Sequence, residues 1–205
     1  MKKLVIAVLA VLFVAPAAFA EGWGVGVKLG AGENDPKDME AAYDSWLSNK
    51  ELDKDPTIAS FEVFHEWTLD NEANKLGLKL GFDMYGQNEA ERKNVPSLEL
   101  TETTYAFPLT VYYKRDNGIK DWSWFAGAGV TSISTEIEAK GAFKRKIDKT
   151  KIFPHIVAGG EYRFNHLFAL GFEARYNFAA KVKKDGDILS DRSGLGASVT
   201  GRFYF

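Results

Sequence analysis

The feature that most restricts this chain is a two-residue alternation of apolar and non-apolar side chains, which recurs eight times between Gly22 and Phe205. A strand sends successive side chains to opposite faces, whereas a helix repeats every 3.6 residues, so this period is the period of strands. In the first segment Trp23, Val25, Val27, Leu29 and Ala31 share a face, and Gly22, Gly24, Gly26, Lys28 and Gly30 share the other. The second sets Ala59, Phe61, Val63, His65 and Trp67 against Ser60, Glu62, Phe64, Glu66 and Thr68. The third sets Leu76 to Met84 against Gly77, Lys79, Gly81, Asp83 and Tyr85, and the fourth sets Tyr105 to Tyr113 against Thr104, Ala106, Pro108, Thr110 and Tyr112. The second half continues with Trp122–Val130, Pro154–Tyr162, Phe168–Phe178 and Leu195–Phe205 as apolar faces. Behind them lie Gly, small polar residues and the charges Glu161, Arg163, Glu173, Arg175 and Arg202.

Alternation alone suits a soluble sandwich as well as a membrane barrel. Three further features separate them. First, the segments are near the ~9–11 residues that a tilted membrane strand needs, and their connections alternate in length. Long ones run roughly Gly32–Thr57, Gly86–Ser97, Ser132–Lys151 and Ala180–Asp191; short ones lie around Asp70–Asn74, Asp116–Lys120 and Asn165–His166. Outer-membrane barrels have short periplasmic turns and longer external loops, a parity that a sandwich has no use for. Second, Trp23, Trp67, Tyr113, Trp122, Trp124, Tyr162, Phe164, Phe168, Phe203 and Phe205 all fall on the apolar face at segment ends beside the short turns. Amphipathic rings favour the headgroup layer, so this band is expected to be the periplasmic girdle. Third, the chain ends in aromatic residues, with Phe205 last.

The N-terminus agrees. Lys2 and Lys3 precede an apolar run from Leu4 to Val14, and Ala18 and Ala20 give the small-x-small pattern of a secretory signal peptide cut after Ala20. Residues 1–20 are therefore expected to be removed, leaving one barrel domain over 21–205. No cysteine follows the cut, or occurs anywhere, so neither a lipid anchor nor a disulfide nor a thiolate metal site is expected. After residue 20 no stretch reads as a transmembrane helix. The formal net charge of −2 gives no reason to expect nucleic acid.

Val199, Gly201, Phe203 and Phe205 resemble the C-terminal insertion signal of outer-membrane proteins. Segments such as Tyr105–Tyr113 (YAFPLTVYY) and Phe125–Val130 (FAGAGV) resemble strands of the OmpA/OmpX-like and opacity-type eight-stranded barrels, and the resemblance covers nearly all of the mature chain. It implies an all-β, eight-stranded, antiparallel up-and-down transmembrane barrel in the bacterial outer membrane. It also implies delivery to the outer-membrane assembly machinery through the strand ending at Phe205. Larger OmpA proteins carry a peptidoglycan-binding domain after the barrel; this chain stops at the last strand, so that role is not expected.

An eight-stranded barrel leaves an interior that side chains just fill. The inward face is expected to carry Lys28, Glu62, Glu66, Lys79, Asp83, Glu161, Arg163, Glu173, Arg175 and Arg202, five acids and five bases. Buried charges need partners, and Glu161, Arg163, Glu173 and Arg175 lie on adjacent strands, facing the same way, so a closed salt-bridge network is expected rather than a wide pore. Catalytic chemistry is not indicated. Some small barrels are lipid A enzymes, whose deacylase type uses a His-x-Ser pair with an acid; His65, His155 and His166 do not fit that pattern. His155 with Glu161 or Glu173 offers a base–orienter pair but no nucleophile. No cofactor and no metal cluster are expected.

The connections offer more. Asp35 and Pro36 can open a short helix with Met39, Tyr43, Trp46 and Leu47 on one stripe. The third long connection holds Lys140, Lys144, Arg145, Lys146, Lys149 and Lys151, which suit lipopolysaccharide phosphates. Ser132–Ala139 still alternates, so the strands beside it are expected to project beyond the membrane, where strand edges can add a partner strand. The functional expectation is a non-enzymatic structural or surface-interaction barrel, supporting adhesion or envelope integrity, with outer-membrane lipids and lipopolysaccharide as neighbours and no surface partner named. The alternatives are a narrow channel for small solutes and a lipid A-modifying enzyme.

Overall fold

The computed structural model describes residues 22–32, 52–53, 56–69, 73–91, 99–116, 121–140, 145–184 and 187–205. The expected signal peptide and the expected helix after Asp35 lie outside them. Eight long strands build the barrel: β1 (Trp23–Ala31), β2 (Thr57–Thr68), β3 (Asn74–Tyr85), β4 (Glu99–Asp116), β5 (Trp122–Lys140), β6 (Arg145–Arg163), β7 (Phe168–Asn177) and β8 (Gly194–Tyr204). Each pairs antiparallel with its sequence neighbour, and β1 pairs with β8 from Gly24↔Tyr204 to Ala31↔Ala197, which closes the cylinder. Closure satisfies every barrel edge, the condition for β-structure in lipid.

Exposure along the strands follows the two-residue period. In β2 Glu62, Phe64 and Glu66 are buried inside while Trp67 is exposed; in β3 Gly77, Lys79, Gly81, Asp83 and Tyr85 are buried and Leu76, Leu78, Leu80 and Met84 are exposed. An outer surface of exposed Leu, Val, Phe and Trp around a buried charged interior inverts the arrangement of a soluble protein. Small residues make room for the large ones inside. A Cβ at Gly77 would lie 2.2 Å from Tyr112 Cζ, and one at Gly24 would lie 2.2 Å from Phe64 Cζ.

The short turns are tied by local hydrogen bonds. Asn165 Oδ1 accepts from the Leu167 and Phe168 amides at 2.9 and 2.8 Å, which folds the chain back within a few residues. At the other end the strands differ in reach. β4, β5 and β6 contain 18, 19 and 19 residues against 9 in β1. The connection expected over Ser132–Lys151 is therefore mostly strand, paired from Ser132↔Ile152 to Ala139↔Arg145. One edge of this projecting wall is extended by the short strand Asn88–Glu91, which in turn pairs with Leu52–Asp53. A two-stranded ribbon, Lys181–Lys184 with Asp187–Asp191, stands between β7 and β8.

Candidate functional site

The lumen is the chemically richest place in the molecule, and strand parity puts its charges there, Arg192 apart. Its half nearer the short turns is a connected ion-pair network. Arg202 on β8 donates through Nε to Glu62 Oε1 on β2 at 2.7 Å and through Nη1 to Glu161 Oε2 on β6 at 2.9 Å. Lys28 on β1 lies 3.1 Å from Glu173 on β7 and 3.2 Å from Glu62. Lys79 also bonds Glu173. Lys114 on β4 joins Glu161 to Glu66, 3.1 Å from the latter. Tyr112 and Tyr204 donate to Glu66 and Glu161 at 2.9 and 2.7 Å, so the carboxylates have neutral donors as well as cations. Arg175 binds Asp83 at 2.6 Å on the side toward the long connections. These groups are almost entirely withdrawn from solvent. At that burial an unpaired charge costs several kcal/mol, whereas carboxylates shared among two or three cations can be held.

The partners are not those expected from adjacency. Glu161, Arg163, Glu173 and Arg175 do not form a square among themselves. Glu161 looks across the barrel to Lys114 and Arg202, Glu173 to Lys28 and Lys79, and Arg175 to Asp83. Arg163 stays part-exposed at the short-turn rim, 3.9 Å from Glu161, with its guanidinium 4.1 Å from the Tyr204 ring centroid. Cross-lumen pairing is the natural outcome in a narrow tube, where long side chains from opposite walls meet on the axis.

Lys114 was not among the expected lumen charges, although it continues the inward parity of Thr110 and Tyr112 by one step. Glu102, two residues before Thr104, was missed for the same reason. Glu102 pairs with Arg192 at 3.0 Å, and Arg192 also donates to Thr104 at 3.2 Å and lies 5.0 Å from the Tyr85 ring. Arg192 stands just before β8, in a connection where parity gives no signal. Around this pair the lumen becomes apolar: Ile58, Tyr85, Ala106, Ile133, Phe153 and Ala180 form one buried cluster. Between the two halves sits His155. Its Nε2 meets Thr110 Oγ1 at 2.9 Å and its Nδ1 meets Thr131 Oγ1 at 2.8 Å, so it bonds hydroxyls instead of Glu161 or Glu173. A cavity lined by Lys28, Ser60, Glu173, Arg175 and Ser198 has a volume of about 20 Å³, room for a single water. Among the described residues no cluster of His, Cys, Asp or Glu is arranged to hold a metal.

The aromatic band forms a run of ring contacts on the outer surface. Trp122, Tyr162, Phe164, Phe168 and Phe203 follow one another at centroid distances of 5.0–5.7 Å. Tyr113 meets Trp124 at 5.9 Å, and Trp23 and Trp67 flank His65. The Phe205 amide donates to Trp23 O at 2.9 Å. Of the basic cluster, Lys144 lies outside the described residues, as do the side chains of Lys140, Arg145, Lys146 and Lys149; the backbones of those four belong to the projecting ends of β5 and β6. Lys151 donates from Nζ to the carbonyls of Ala179 and Lys181, both at 3.0 Å.

The chain matches the family model of the outer membrane protein beta-barrel domain over residues 4–203. Among solved structures it is similar to Ail, the attachment invasion locus protein of Yersinia pestis (TM-score 0.53, 11% identity, 90% of this chain and 99% of that one). It is also similar to Neisserial surface protein A, NspA (TM-score 0.55, 14% identity, 90% and 97%). A third is the outer membrane protein OprG of Pseudomonas aeruginosa (TM-score 0.54, 11% identity, 90% and 96%). These identities speak to the fold alone. A search of curated proteins returned no match.

Proposed function

Because the chain belongs to the outer membrane protein beta-barrel domain family and hence to the bacterial outer membrane, we propose that it is a non-enzymatic surface-interaction barrel whose working part is the wall projecting from β4, β5 and β6. The observation that carries this reading is the contrast in strand length: three neighbouring strands continue well past the apolar belt while the lumen beneath them is filled with paired side chains. The short turns and both chain ends lie on the periplasmic side, the aromatic band is the periplasmic girdle, and the wall stands outside the cell. Residues 1–20 direct export and are removed after Ala20. The strand ending at Phe205 presents the chain to the assembly machinery.

Outside, the wall has two means of engagement. Lys140, Lys144, Arg145, Lys146 and Lys149 meet lipopolysaccharide phosphates as multiple cationic donors. The edge of β6 offers backbone to another surface by strand addition, because β6 begins at Arg145 while its ladder with β7 starts only at His155↔Asn177. Deleting Thr135–Asp148 from the full chain tests this. The expected result is a folded barrel that has lost surface adhesion and lipopolysaccharide binding; unchanged binding overturns the proposal. Mass spectrometry of lipid A from cells with and without the protein is expected to give identical profiles, and an altered acyl pattern would make it an enzyme.

A further inference from the structure

His65 stands where an imidazole is not expected. Apart from Thr57 and Asn74 at strand ends, the other outward positions of β1, β2 and β3 between Trp23 and Met84 are aliphatic or aromatic: Val25, Val27, Leu29, Phe61, Val63, Trp67, Leu76, Leu78, Leu80 and Phe82 among them. His65 shares their face, in the row that pairs Trp23↔His65↔Leu78. Its ring lies 4.8 Å from that of Trp23 and 4.5 Å from that of Trp67, the latter edge-on at 81°. Gly22 closes one side. Its φ is +103°, its carbonyl accepts from the Glu66 amide at 2.8 Å, and a Cβ there would lie 3.2 Å from His65 Cε1. Nδ1 is buried with no hydrogen-bond partner.

A buried nitrogen without an acceptor nearby is best left as a bare lone pair, since an unsatisfied N–H costs its full desolvation penalty. The imidazole proton is thereby assigned to Nε2, which is not closed off. One donor then faces outward from between two indoles, at the strand end beside a short turn. In pure hydrocarbon that donor would be unpaired. In the headgroup layer it has anionic oxygens to bond, and bonds to ionised acceptors are the strong ones.

We propose that Trp23, His65 and Trp67 form a binding site for the phosphodiester of one phospholipid in the periplasmic leaflet. The site rests on the orientation given above, with short turns on the periplasmic side. His65 Nε2–H donates to a phosphodiester oxygen while the indoles pack along the glycerol and upper acyl carbons, as rings with an apolar body do at this depth.

The test uses the full folded barrel, 15N-labelled at histidine, in a phosphate-free maltoside micelle titrated with dihexanoyl phosphatidylglycerol. The expected result is a saturable shift of the His65 Nε2 resonance together with a change in tryptophan fluorescence. His65→Phe keeps an aromatic ring and is expected to bind at least about tenfold more weakly, a loss of about 1.4 kcal/mol. Inorganic phosphate and a short-chain diacyl glucoside are expected to leave the resonance in place. An unmoved Nε2 resonance in the wild type overturns the site whatever the variant does, as does an equal response to the glucoside. Orientation is read separately: the Asn165→Cys variant should resist an impermeant maleimide on intact cells. Labelling there would overturn the orientation while leaving the titration to judge the site.

Discussion

The two halves of the lumen are filled by opposite means. Toward the short turns, Arg202, Lys28, Lys79 and Lys114 are interlaced with Glu62, Glu66, Glu161 and Glu173. Toward the long connections, Ile58, Tyr85, Ala106, Ile133, Phe153 and Ala180 pack as an ordinary apolar core, with the buried ion pairs Arg175–Asp83 and Glu102–Arg192 at its edge. The charged half draws its residues from strands alone. The apolar half borrows Ala180 and Arg192 from the connection between β7 and β8. A strand can aim only alternate residues inward, and a tube narrow enough to be filled forces long charged ones to meet across it. Where the barrel opens, a connection can fold back and supply apolar bulk, so charge is no longer needed to fill the space.

That contrast sets the order of expected losses, each read by urea unfolding of the reconstituted barrel. Arg202→Met removes the hub of the charged half and takes one cation from each of two buried carboxylates, Glu62 and Glu161, for which about 3–5 kcal/mol is expected. A loss below about 1 kcal/mol would mean that Lys28 and Lys114 suffice, and that the network is not a unit. Phe153→Ala opens a cavity in the apolar half and is expected to cost about 3 kcal/mol. Arg192→Met is expected to cost about 1.5–3 kcal/mol, and its signature is local: amide exchange should quicken in the ribbon Lys181–Asp191, because the guanidinium that fastens the end of this connection to Glu102 and Thr104 on β4 is lost. If the halves are independent, Arg202→Met and Phe153→Ala should add to within about 0.5 kcal/mol, and a larger coupling would merge them. The smallest effect runs the other way. Ala179 sits at φ +49°, so Ala179→Gly should stabilise by about 1 kcal/mol.

Much of the fold was legible because a barrel's grammar is local. Parity assigns faces, turn length assigns the two ends, and neither requires knowledge of distant contacts. The same parity, carried one step beyond Tyr112 and one step before Thr104, would have yielded Lys114 and Glu102. What parity cannot supply is the pairing across the tube. Lys28 and Glu173 are 145 residues apart and meet only because the cylinder closes. Arg192 illustrates the other limit, since its place depends on how a connection folds back over the rim. Pro108 shows why the alternating pattern outweighs single-residue rules. It faces the lumen against Gly81, whose added Cβ would lie 2.9 Å from its ring, and the β3–β4 ladder skips Gly81 and Phe82 there without breaking the strand.

Planar-bilayer recording of the wild-type barrel tests most directly whether its business lies outside the pore. The proposal that the lumen is plugged twice, by charge and then by apolar packing, predicts no stable open level in the wild type. It also predicts none when Arg202→Met or Arg192→Met is made alone, because each variant leaves the other half shut. A large, stable conductance in the wild type would contradict the closed lumen and make solute passage the leading function.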